Sequence, residues 1–199
     1  YNPEQFPVEA AERVEVLTGT YAIALEDNTA GALVNMQEIR YDTRKPFTRI
    51  WYHQGGYKHT ASDGVFSQNI AQGLNVTAGF RRQSAAGRYE NSSIDTWNIR
   101  GAIRWNISDY TNISLSEIFT SHFNETSGGV DIALTPSLGN ERVAEVVYPE
   151  LDERVYRHDL TLTLTSYLSE DSTTAFSGVA YYSHALWERD RVEALRLGS

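Results

Sequence analysis

From Leu74 onward, hydrophobic and polar residues alternate one for one in four long runs of the chain. Leu74, Val76, Ala78 and Phe80 interleave with Asn75, Thr77, Gly79 and Arg81. Trp97, Ile99, Gly101, Ile103, Trp105 and Ile107 interleave with Asn98, Arg100, Ala102, Arg104 and Asn106. Two further runs set Ile113, Leu115, Phe119 and Phe123 against Asn112, Ser114, Ser116, Thr120 and His122, and Leu160, Leu162, Leu164 and Leu168 against Asp159, Thr161, Thr163 and Thr165. Successive side chains of a strand point to opposite faces, so each run predicts a strand with one apolar and one polar face. Less regular strands are expected over 47–54, 65–71 and 175–183, and no helical period appears between residue 45 and the last few residues.

The connections alternate in length. Short polar turns are expected at Gln72-Gly73, at Ser108-Asp109-Tyr110 and over 169–172, with longer joins over 55–63, 84–95 and 124–153. Outer-membrane barrels show this rhythm, with tight turns on one side of the membrane and long loops on the other. Strands of about ten residues also suit a tilted crossing of a bilayer, whereas strands of soluble domains average about five or six. Trp97, Trp105, Tyr110, Tyr156 and Tyr167 fall near strand ends, where amphipathic rings sit at a lipid–water boundary. The pattern predicts an all-β fold, an antiparallel transmembrane β-barrel segment of about seven strands over 41–199.

Ahead of these strands, Arg13-Val14-Glu15-Val16-Leu17 alternates and stops at Gly19, and residues 31–36 form a near-continuous apolar run. Bare physics gives two strands, the second buried on both faces. Together Glu12, Arg13, Val14, Glu15, Val16, Leu17 and Gly19, then Gly31 and Asn35, resemble the end of the plug domain of TonB-dependent outer-membrane receptors. The resemblance implies a C-terminal part of a plug over 1–40 and an incomplete barrel after it, since that family encloses its plug in about 22 strands. It also implies energised uptake of a scarce nutrient, a ferric siderophore, haem, cobalamin or a glycan. Its partners would be outer-membrane lipid and lipopolysaccharide, a small-molecule or chelate substrate, and the TonB complex, for whose contact no residue here is assigned. Any strand pair with a glycine-bounded linker remains the alternative source of the motif.

Composition narrows the picture in two places. A formal net charge of −9 and a pI near 5.0 argue against a nucleic-acid partner, which demands a basic face. The absence of cysteine removes disulfide scaffolds and thiolate metal sites. Asn-x-Ser/Thr triplets begin at Asn75, Asn91, Asn106, Asn112 and Asn124, as strands rich in Asn, Ser and Thr generate by chance.

Candidate chemistry is sparse. His53, His59, His122, His158 and His184 form no metal-ligand spacing, although His122 and His158 could meet across neighbouring strands. No G-x-S-x-G elbow supports a nucleophile, so no catalytic residue, metal or cofactor is expected and the chain does not read as an enzyme. Arg81, Arg100 and Arg104 on polar faces would line a lumen, pairing with carboxylates such as Glu12 and Glu15 or recognising an anionic substrate. The acidic 124–153 join carries Asp131, Glu141, Glu145, Glu150, Asp152 and Glu153, available to solvent, substrate or cation bridges to lipopolysaccharide. The competing reading is a soluble all-β binding module, for instance carbohydrate-binding.

Overall fold

The structure, a computed structural model, describes residues 6–20, 22, 32–41, 45–135, 144–168 and 174–189. Among the described residues, two antiparallel sheets make up the fold. The first is a hairpin of β1 (Ala11–Thr18) and β2 (Ala32–Glu38), entered through a short 3-10 turn at Val8–Ala10. The second is a seven-stranded meander of β3 (Phe47–Gln54), β4 (Thr60–Ala71), β5 (Leu74–Ala85), β6 (Ile94–Asn106), β7 (Thr111–Glu125), β8 (Asp152–Tyr167) and β9 (Ala175–Arg189). Each of these strands pairs with its neighbour in sequence, and β3 and β9 form the edges. The sheet is therefore an open meander rather than a closed barrel.

Most elements form where the alternation predicts them, and the wall strands run longer than soluble norms. β4 starts at Thr60 rather than Val65, which shrinks the 55–63 join to 55–59. Its early residues include Asp63 and Gly64, poor strand formers in isolation, but the ladders to β3 and β5 hold them in register, Asp63 opposite Trp51 and Arg81. β9 likewise continues past Ser183 to Arg189 through its ladder to β8.

Turn chemistry fixes the register. Gln72-Gly73 closes β4 onto β5 with Gly73 at φ +71°, and a side chain there would collide with the Asn106 carbonyl at 2.8 Å. Only glycine combines that backbone with that approach. The turn at 107–110 is held by Ser108, whose hydroxyl accepts from the Thr111 amide at 3.1 Å.

Registers sort every wall strand into the same two faces. Rows such as Val76–Ile103–Leu115–Leu162 share one face, and rows such as Asn75–Arg104–Ser114–Thr163 share the other. The apolar side is bare: Ile50 is 74% exposed, Ile99 55% and Leu162 41%. The polar side is covered: Asp63 and Asn98 are 0% exposed and Arg81 6%. A domain folded in water would reverse this arrangement.

The hairpin departs from expectation. β2 is not buried on both faces; Val34 is 52% exposed, and Val14 and Val16 of β1 are exposed as well. A two-stranded ribbon has no second layer to cover its side chains, whatever their hydrophobicity.

Candidate functional site

The polar face carries a girdle of charge across two adjacent rows. Asp63 on β4 lies between two guanidiniums, with Arg100 Nη2 at 2.5 Å and Arg49 Nη2 at 3.4 Å. Arg81 on β5 reaches Asn98 Oδ1 at 3.4 Å and also bonds Gln83, while the Asn98 amide donates to Thr120 Oγ1 at 2.8 Å. At the β8–β9 side, Arg157 Nε donates to both Asp159 oxygens at 2.8–2.9 Å. Asp159 Oδ1 also accepts from Tyr181 at 2.6 Å and Ser183 at 2.7 Å. Burying charges costs far more than burying hydroxyls, and these are tolerated because each has an opposite charge or several donors.

Toward the short turns the same face is mostly uncharged. Ser67, Thr77, Ala102, Ser116 and Thr161 follow one another across the strands, and Asn75, Ser114 and Thr163 form the next row with Arg104 among them. Ser67, Thr77 and Asn75 hydrogen-bond one another, Thr77 to Ser67 at 2.8 Å.

The hairpin base docks on the girdle. Glu9, beside the first strand, presents Oε2 to Arg81 Nε at 2.9 Å, close as an ion pair though not aligned as a hydrogen bond. Its carbonyl accepts from Arg49 Nη2 at 2.9 Å, and the Ile39 amide closes the hairpin base on Ala10 O at 2.8 Å. Between this base and β5–β8 lies a cavity of about 580 Å³, with Glu12, Glu38 and Arg40 on the hairpin side and Arg100 and Arg104 on the wall. Burial pushes the Glu38 carboxyl up from its ordinary value; Arg100 and Arg40 oppose the rise and Asp159 adds to it.

Arg81, Arg100 and Arg104 thus stand on one face, the first two in the charged rows and the third below them. The partners of Arg81 and Arg100 differ from those expected. Arg81 meets Glu9 and Arg100 meets Asp63, whereas Glu15 pairs with Arg13 at 2.8 Å and with Asn35 at 3.0 Å inside the hairpin. The reason is geometric: among the described residues the hairpin base reaches the wall, and Glu15 lies farther along the ribbon. Of the proposed plug motif, Glu12 lines the cavity, Val14 is exposed on β1, Gly19 turns the chain at φ +70°, and Gly31 lies outside the described residues.

His122 and His158 do not meet. His122 stands on the polar face, 2.7 Å from Thr96 Oγ1, and His158 on the apolar face, 2.9 Å from Glu117, because Val155 rather than His158 lies opposite His122. Sequence reasoning missed Glu9, Arg49, Asp63 and Glu38 as members of the site. Asp63 precedes the strand expected from Val65 and shares its face with Ala61 and Val65, Arg49 shares its face with Phe47 and Trp51, and Glu9 and Glu38 reach the wall through tertiary docking, so none carried an alternation signal.

The loops at the other end of the strands are interlocked. Asn91, at φ +49°, donates from Nδ2 to the carbonyls of Tyr148 at 2.7 Å and Leu151 at 3.0 Å, tying 86–93 to 126–151. In the long loop Asp131 caps a turn, accepting from Ala133 N at 2.9 Å, and Val130 bridges Val146. Glu141 lies outside the described residues.

Comparison with known proteins places this geometry. No curated protein matches the chain. A family model described as "Putative porin" matches residues 22–149, from ahead of β2 through β7 and into the long loop. No TonB-dependent receptor or plug family is detected, which overturns the resemblance drawn from Glu12–Gly19 and Gly31–Asn35. Alternating Glu, Arg and Val suit any exposed antiparallel ribbon, so the motif lacks the specificity it suggested. An antiparallel outer-membrane β-barrel is what such a family implies, and the bare apolar face agrees with it. The chain belongs to this porin family.

Proposed function

We propose that the chain builds part of the wall of an outer-membrane channel through which small polar or charged solutes diffuse, narrowed by the β1–β2 hairpin base. The observation that carries this is the inverted sheet: apolar side chains bare on one face, and buried ion pairs on the other. In this reading the apolar face meets the outer-membrane lipid, and the interlocked loops face lipopolysaccharide. The edges of β3 and β9 pair with further strands, because lipid does not tolerate unpaired backbone groups. Selection comes from the lining and involves no chemical step. A soluble carbohydrate-binding module would leave the exposed Ile50, Ile99 and Leu162 face without a purpose.

The test is conductance. Native protein recovered from outer membranes and added to planar bilayers should open stepwise, ohmic ion currents. Folded protein that remains in the soluble fraction and yields no current would end the channel reading.

A further inference from the structure

The apolar face of the wall is interrupted at one place by ionisable side chains. The registers put Glu117 of β7 between Gly101 and Leu160, and His158 of β8 between Phe119 and His184 of β9, all on the outward face. His158 Nδ1 lies 2.9 Å from Glu117 Oε1, with both side chains half-exposed, and His184 is exposed beside them.

Their height in the wall follows from β6. Its outward residues run from Trp97 to Trp105, and tryptophans of a membrane wall sit at the two lipid–water boundaries. Gly101 is midway between them, and Glu117 is its register partner, so the carboxylate stands near the middle of the apolar band. Acyl chains offer such groups no hydrogen bond. Ionisable side chains at that depth ordinarily face protein or a water-filled space. The outward face of a wall has no lumen, which leaves protein.

We infer that the outer face of β6–β9 around Glu117 is an interface within the membrane, covered by the same face of a second copy of the chain. The inference rests on the apolar face lying in the membrane and not on conduction. Further strands of the same wall extend it at β3 and β9 and leave its outer face uncovered. A second copy suits the patch because a two-fold contact must be complementary to itself. A carboxylate and two imidazoles side by side meet that condition, since each copy supplies both the acceptor and the donors. Close approach is open on the β5–β6 side, where Ala78 pairs with Gly101 and a side chain built at Gly101 would meet nothing within 4 Å. Glycine within a strand often marks such an approach by another backbone.

The experiment is cysteine cross-linking of the native-length protein in outer membranes, the chain itself holding no other thiol. Treated with a flexible bismaleimide, Tyr182→Cys beside the cluster should yield a species of twice the monomer mass. Ile50→Cys, on the same face but at the β3 edge, should stay monomeric. Adding Glu117→Leu, which suits lipid better than a carboxylate does, should cut the cross-linked fraction about tenfold, as expected for one lost hydrogen bond to a charged group. Heat-modifiable gel mobility shows that each variant has folded. Monomer at both positions, equal cross-linking at both, or cross-linking to a different polypeptide overturns the inference, as does a fraction that Glu117→Leu leaves unchanged. Each of these leaves the channel reading standing. A specifically cross-linked barrel that passes no current fails the channel reading alone.

Discussion

The two faces of the β3–β9 sheet are made from the same strands, alternate residues of the same runs, yet they obey opposite rules. On one, Ile99, Ile103, Leu115 and Leu162 stand bare. On the other, Asp63, Arg81, Asn98 and Thr120 are buried and bonded. Alternation alone is symmetric between a soluble sheet and a membrane wall; it says that two faces differ, never which one meets water. What breaks the symmetry is where the costly groups sit. Charges are buried only when partnered, and here the partners come from neighbouring strands and from Glu9 at the hairpin base.

That comparison breaks most sharply at Asp63. Replacing it by alanine leaves Arg100 and Arg49 facing each other without their shared carboxylate, at an expected cost of about 3–5 kcal/mol in urea unfolding of the barrel in liposomes. A loss under about 1 kcal/mol would show that the girdle is hydrated rather than closed. Next in size is a contrast within one strand. Leu162→Arg on the apolar face should cost about 2–4 kcal/mol, the price of a cation near mid-bilayer, while Thr163→Arg on the polar face should be nearly neutral. Equal losses would remove the distinction between lipid and lumen.

Asn91→Ala tests the loop end. It deletes two well-formed hydrogen bonds to Tyr148 and Leu151, so about 1–2 kcal/mol of local stability should go, read as faster protease nicking within 126–151. The smallest effect belongs to the exposed Arg82–Asp95 pair at 3.0 Å. Asp95→Asn should cost under about 1 kcal/mol, and salt should erase the difference.

How much of this was legible from the chain depends on sequence distance. The wall strands were, because period-2 alternation is local and each ladder joins neighbours in sequence. Arg81, Arg100 and Arg104 could be put on a common face by parity. Their partners could not. Glu9 is far from Arg81 in the chain, and Asp63 meets Arg100 across β5 through the registers of two successive ladders. The plug resemblance failed for a related reason: Glu12, Arg13, Val14 and Glu15 describe a ribbon exposed on both sides, and that pattern constrains very little. Hydrophobicity also misled at Val34, where an apolar run without a packing layer stays exposed.

The sequence by itself determined the antiparallel wall, its two chemically distinct faces and the alternation of short turns with longer loops, since these follow from side-chain parity and turn residues a few positions apart. The tertiary structure alone decided that the hairpin base closes on the wall, that Asp63 is shared by two arginines, and that Glu38 sits where burial raises its pKa. Those features depend on distances between residues remote in sequence, and on how much water docking removes. Neither quantity is written in any local run of residues.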